Sequence, residues 1–138
     1  MNIDSIQNGI VLDHITAGSA MRIYRYLHLD DLDCSVAIIK NVKSGKQGKK
    51  DIIKIDEAMD VDLDILGYID PGITVNMIRD GAIVEKRRLA PPKRLKNVLV
   101  CKNPRCITSV EPELDQIFEL VDEKRRTYCC AYCEGREK

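Results

Sequence analysis

The sequence predicts an α+β protein in two parts, and three observations lead there. Up to residue 93, short runs rich in Ile, Val and Leu alternate with two segments of helical spacing. Pro91-Pro92 then punctuates the chain and holds its neighbours extended. Beyond it, five of the six cysteines fall in the last 38 residues, where even scatter would put one or two. The boundary is expected near residue 93, giving parts 1–93 and 94–138.

Residues 9–15, Gly-Ile-Val-Leu-Asp-His-Ile, form the first expected strand. Thr16 can cap a helix whose apolar positions are Ala17, Ala20, Met21, Tyr24 and Leu27. Asp30, Asp31 and Asp33 end it. A second strand over 34–42, a polar glycine-punctuated loop over 43–50 and a third strand over 51–56 follow. A short acidic helix is expected over Asp60 to Tyr68, with Val61, Leu63, Ile65 and Leu66 apolar, and Pro71-Gly72 makes a turn. Strands over 73–79 and 82–86 flank Asp80-Gly81, a strong hairpin signal. The order β-α-β-β-α-β, with one strand more, is that of a ferredoxin-like sandwich. A new element starts over Asn97 to Val100.

Lys+Arg and Asp+Glu both total 22, so the formal charge is zero. That balance argues against a strongly basic nucleic-acid binder and against an acidic, self-repelling tail. With five Tyr, one Phe and no Trp, the core must be built from Ile, Val and Leu. No apolar run approaches the ~20 residues of a membrane helix, and Met1-Asn2-Ile3-Asp4 lacks the flank of a secretory signal. The expectation is a cytoplasmic protein without membrane contact, in which thiols stay reduced and six cysteines need a reason other than disulfides.

Cys101 and Cys106 are separated by four residues, and after 23 more come Cys130 and Cys133, separated by two. Each pair suits a tight turn that aims two thiolates at one point. Two such turns complete a tetrahedron around Zn2+, with Zn–S distances of about 2.3 Å. Four thiolates leave no place for water, so one such ion per chain is structural, and it would hold together a unit too small for a core alone. Three other readings compete. A disulfide needs an oxidising compartment, a thioredoxin-like pair at Cys130 and Cys133 needs a strand-to-helix context, and simple buried thiols leave the turn spacing without a reason. Cys129 could exchange with Cys130 as a ligand, although the two-residue spacing to Cys133 favours Cys130. Cys34 reads as a small apolar side chain.

Residues 94–138 hold nine Lys/Arg against eight Asp/Glu, so a nucleic-acid-binding ribbon would need a purely local basic face, with Lys124-Arg125-Arg126 its one dense cluster. Protein binding fits this balance better. In the first part, Asp13, His14, Lys50, Lys54, Asn76 and Lys86 lie on or beside strands. Lys54 interrupts Ile52-Ile53-Lys54-Ile55, where an ammonium wants an anion or a path to water. Lysines beside a carboxylate suit a ligand that carries both phosphates and hydroxyls. Neither a Walker loop nor a dinucleotide fingerprint is present, so a nucleotide would be held by a sheet-borne pocket.

Gly9-Ile10-Val11-Leu12-Asp13-His14-Ile15, the run Gly48 to Ile55, Thr74-Val75-Asn76, Asn97-Val98-Leu99-Val100-Cys101, Asn103, Cys106 and Cys130-Ala131-Tyr132-Cys133 occur in one order along the whole chain. In these residues it resembles the family of aspartate carbamoyltransferase regulatory chains. The resemblance implies a ferredoxin-like allosteric domain and a zinc domain, without catalysis of its own. It implies nucleotide effectors of pyrimidine biosynthesis, with CTP and UTP inhibiting and ATP activating. Carried over by motif, Asp13 and Lys54 would serve ribose and base, His14, Lys50 and Lys86 the phosphates, and Asn76 the pocket lining. Ile6 and Ile83 would pack near the base. The resemblance further implies that Cys101, Cys106, Cys130 and Cys133 support the contact with the catalytic chain, and that allosteric domains pair as a homodimer.

Two geometric expectations follow. A two-residue Asp80-Gly81 turn would pair position 76 with 85 and leave Asn76 and Lys86 on opposite faces, so an odd-numbered loop with Gly81 left-handed is expected. Asp13 and His14 alternate along an ideal strand, and a strand ending there would let both serve one site.

Overall fold

Branched aliphatic residues at every second position build the first strand, β1 (Gly9–Thr16), but the period breaks once. Ile10, Leu12 and Ile15 are all buried, a spacing of two and then three. His14, at φ 59°, supplies the extra residue: Leu12 pairs with Ile53 and Ile15 with Asp51 on β3 (Gly48–Ile55). This is a β-bulge, so Asp13 and His14 share a neighbourhood without the strand ending there, contrary to the expectation. The computed structural model describes residues 6–45 and 48–136. Met1 to Asp4, read above for a signal, and Lys46-Gln47 of the expected 43–50 loop lie outside them.

Unit 1, residues 1–90, carries a five-stranded antiparallel sheet in the order β2-β3-β1-β4-β5, with β2 (Val36–Ser44), β4 (Thr74–Arg79) and β5 (Ala82–Arg88). With α1 (Ala20–Tyr26) after β1 and α2 (Leu63–Ile69) after β3, this is the ferredoxin-like order with β5 added at one edge. The expected loop over 43–50 is shorter, because β2 runs through Ser44 and β3 starts at Gly48.

Helix α1 corrects two expectations. Thr16 belongs to β1, and Ser19 is the N-cap residue, with no side-chain cap of its own. The cap comes from β3 instead: the buried Asp51 carboxylate accepts from the backbone N–H of Gly18 at 2.9 Å and of Ala20 at 3.2 Å. It also accepts from Asn41 N–H at 3.0 Å, where Asn41 (φ 60°) marks a second bulge opposite Asp51. The helix buries Ala20 and Ile23, while Ala17 and Met21 face solvent. Asp62 caps α2 by accepting from Asp64 and Ile65 N–H.

Both helices contribute to one core, in which Ala20, Ile23, Leu66 and Ile69 meet Ile10, Leu12, Ile53, Ile55 and Val75 of the sheet. Each fully buried Ile or Leu contributes about 1.5–3 kcal/mol. Gly9 cannot be enlarged, since a Cβ there would stand 2.1 Å from the Ile55 carbonyl oxygen. Cys34 packs partly buried against this core.

The β4–β5 connection is a two-residue turn, not the odd loop expected. Asp80 (φ 53°) and Gly81 (φ 78°) are both left-handed, as the type I′ hairpin requires. The odd residue sits further on: Ile78 pairs with Ile83 and Met77 with Glu85, so Val84 is the bulge.

Unit 2, residues 91–138, has a three-stranded sheet in the order β6 (Arg94–Lys96), β7 (Ile117–Asp122), β8 (Thr127–Cys130), with one turn of helix, α3 (Ile107–Val110). The element expected over Asn97 to Val100 lies earlier, as β6; Asn97 itself is left-handed at φ 58° and turns the chain out of it. Leu95, Phe118 and Tyr128 are the large apolar side chains fully buried here among the described residues, and the cysteines fill the rest of the interior. No helix among the described residues is long and apolar enough to cross a membrane.

Candidate functional site

The interior of unit 2 converges on four sulfurs. Asn103 folds the Cys101–Cys106 segment into a turn: its carbonyl accepts from Cys106 N–H at 3.0 Å and from the Ser109 hydroxyl at 2.7 Å. Cys130 and Cys133 sit at the end of β8, where Glu134 N–H donates to the Cys130 carbonyl at 2.8 Å. The four Sγ atoms of Cys101, Cys106, Cys130 and Cys133 lie within 4.8 Å of one another, with Cys101–Cys133 at 3.6 Å and Cys106–Cys130 at 3.7 Å. A regular tetrahedron of sulfurs about 2.3 Å from a central ion has edges of about 3.8 Å. A disulfide would need about 2.05 Å. The donor set therefore fits a tetrahedral soft-metal centre with every position filled.

Neighbouring polar groups support several of these cysteines. The Gln116 side-chain oxygen accepts from Cys101 N–H at 3.0 Å, and the Thr108 hydroxyl lies 3.1 Å from Cys106 Sγ. The Gly135 N–H and the Asn103 side chain hold the Cys133 thiol down to about 7, whereas burial pushes Cys101 up to about 12. Cys129 alternates with Cys130 along β8 and stands outside the cluster. Nothing in the sequence signals Gln116 and Thr108, since polar residues become supports only when the fold brings them to a ligand cysteine.

In unit 1 the uncovered face of the sheet carries the other constellation. Cross-strand pairing runs one row through all five strands: Ala37, Lys54, Val11, Asn76 and Lys86. A neighbouring row brings Asp13, Thr74 and Arg88 side by side. Asp13 Oδ1 pairs with Lys50 Nζ at 2.9 Å and accepts from His14 N–H at 2.6 Å. Burial alone would raise the Asp13 carboxyl, but Lys50 and the His14 N–H outweigh it and hold the group below its ordinary value. His14 Nδ1 lies 3.2 Å from Thr74 Oγ1. Asn76 is 7% exposed, and its Oδ1 is buried with no hydrogen-bond partner among the described residues. An amide oxygen in that state is costly unless a donor arrives.

A cavity of about 550 Å³ opens on this face, walled by the Pro71–Ile73 turn, His14, Thr74, Lys86, Arg88 and Leu89. That volume suits a mid-sized organic ligand. Of the expected residues, His14 and Lys86 line it, and Asp13, Lys50, Lys54 and Asn76 lie on the same or adjoining rows of the sheet. Ile6 stands beside Gly9, and Ile83 is 60% exposed near the hairpin end, outside the cavity wall. Thr74 and Arg88 are additions. Thr74 reads as an ordinary strand residue, and Arg88 sits in a charged run that reads as a solvated edge.

Both units match known families. The model of the aspartate carbamoyltransferase regulatory chain allosteric domain matches residues 1–90, and that of its metal binding domain matches residues 93–137. The aspartate carbamoyltransferase regulatory chain of Clostridium botulinum is 51% identical over 134 residues, covering 97% of this chain and 92% of that one. Those of Clostridium tetani and Bifidobacterium longum are 49% and 43% identical over 135 and 138 residues, covering 97% and 100% of this chain and 94% and 99% of theirs.

Proposed function

The chain belongs to the family of aspartate carbamoyltransferase regulatory chains, and on that premise we propose that unit 1 binds nucleoside triphosphates and unit 2 carries their effect to a catalytic chain. The observation that supports this most is the Asn76 Oδ1, buried and unpartnered, on one row with Lys54 and Lys86 and beside the Asp13–Lys50 pair. Its missing donor suits the exocyclic amine or a hydroxyl of a nucleoside. Lys86 and Lys50 would supply positive charge and His14 a ring N–H donor for phosphates, while Asp13 would accept from ribose. CTP would inhibit, with UTP in synergy, and ATP would activate, ATP and CTP competing for one pocket. A ligand shifts the partner's equilibrium only by its differential affinity for the two states, commonly ~1–3 kcal/mol.

In this reading unit 2 has a structural role. Cys101, Cys106, Cys130 and Cys133 would hold one Zn2+, whose chemistry here is to cross-link two turns. Val100, Ile107 and Tyr132, each next to one of these cysteines, are exposed, as is Val110. Apolar side chains fixed on metal-bound turns suit a protein partner, the catalytic chain. Chains of this type would pair through unit 1, and the complex would be cytoplasmic, with no part for nucleic acid.

Reconstitution with an aspartate carbamoyltransferase catalytic chain tests the proposal. Activity should fall with CTP and rise with ATP, each reversing the other. A complex that forms but ignores both nucleotides at millimolar concentration contradicts it.

A further inference from the structure

The strand that walls the cavity also leads out of unit 1. Lys86, Arg88 and Leu89 line the cavity, and Leu89 packs against the unit 1 core as well. Three residues on, the chain is held again. The hydroxyl of Tyr128, a side chain fully buried in unit 2, donates to the Pro92 carbonyl at 2.6 Å, and Leu120 N–H donates to the Lys93 carbonyl at 2.9 Å. Tyr128 lies on β8 two residues before the cluster cysteine Cys130. Between the two anchors stand only Ala90 and Pro91. Pro91 has its φ fixed by its ring, and the following Pro92 keeps Pro91 extended.

We propose that Tyr128 is a positioning residue that clamps the connecting segment to the cysteine-bearing unit, making Ala90–Pro91 a stiff coupling through which a ligand in the cavity acts on unit 2. The proposal rests on the regulatory reading above. Replacing the packed phenol by phenylalanine changes its shape little and removes the bond to Pro92. A ligand drawn against Lys86 and Arg88 displaces the end of β5. With both anchors in place, that displacement has two residues in which to dissipate, one of them rigid. With the clamp released, Pro92 and its neighbours absorb it.

The test uses the reconstituted complex with its catalytic chain. Tyr128→Phe should keep its metal content, its activity without effector and its CTP affinity within twofold, yet lose at least half of the CTP and ATP response. The double variant Ala90→Gly/Pro91→Gly, which leaves Tyr128 in place, should show the same uncoupling and carries the test if Tyr128→Phe fails to fold. Full effector responses in these variants, or responses that fall only in step with nucleotide affinity or metal content, would overturn the proposal. A wild-type complex that ignores both nucleotides overturns the regulatory reading itself, and this inference with it.

Discussion

Asn76 and Lys86 stand directly opposite each other on neighbouring strands, and they do so because Val84 is bulged out of the pairing between them and the turn. A two-residue turn without the bulge would send Lys86 to the helix-covered face. The extra residue therefore decides whether the lysine reaches the cavity.

Deleting Val84 removes the extra residue and so leaves Lys86 opposite Asn76 in a regular ladder. Nucleotide affinity should therefore stay within about threefold of wild type, with circular dichroism of the chain unchanged. A tenfold loss of affinity would contradict the register that sets Lys86 beside Asn76.

The ion pair of Asp13 and Lys50 gives unit 1 a pH signature. The Asp13 carboxyl is held below its ordinary value of 3.8. Its contribution to stability is present above the unfolded value and is lost as pH falls through the folded one. Thermal melts between pH 6 and 3 should therefore show wild type losing its advantage over Asp13→Asn below about pH 4. An advantage that grows as pH falls would contradict the assignment.

Asp51 is a buried carboxylate that closes three backbone N–H groups from three segments. Removing it leaves donors without acceptors at about 1–3 kcal/mol each. Asp51→Ala should cost about 3 kcal/mol or more in urea unfolding, with Asp51→Asn intermediate. A cost near zero would mean that water replaces the carboxylate.

The limits of the sequence reading show in these same residues. Alternation of Ile, Val and Leu located the strands, and Asp80-Gly81 located the hairpin, because period and turn chemistry are local. The bulges at His14, Asn41 and Val84 were not legible, although the spacing of Ile10, Leu12 and Ile15 carries the trace of the first. A bulge is fixed by what must be buried across the sheet, and Asp51 lies opposite the one at Asn41 and next to the pairing shift at His14. The capping role of Asp51 was missed for the same reason: its partners are 10 to 33 residues away. The cysteine cluster was legible because its spacing is itself the geometry of two turns. Arg88 was not, since nothing local separates a charged residue on a cavity wall from one facing water.

Metal should be inseparable from the fold of unit 2. Stripping it with a strong chelator should abolish the ordered signal of unit 2 and its binding to a catalytic chain, while unit 1 keeps its helical signal. Re-addition of Zn2+ should restore both, with about one ion bound per chain. Ordered, binding-competent unit 2 without metal would contradict the structural role.

Calorimetric titration of CTP into the purified chain, wild type beside Lys86→Ala, tests the central claim most directly. One saturable site per chain is expected, competed by ATP and weakened at least tenfold in the variant. No heat of binding at millimolar CTP, or equal affinity in the two proteins, would contradict a nucleotide site on this face of the sheet.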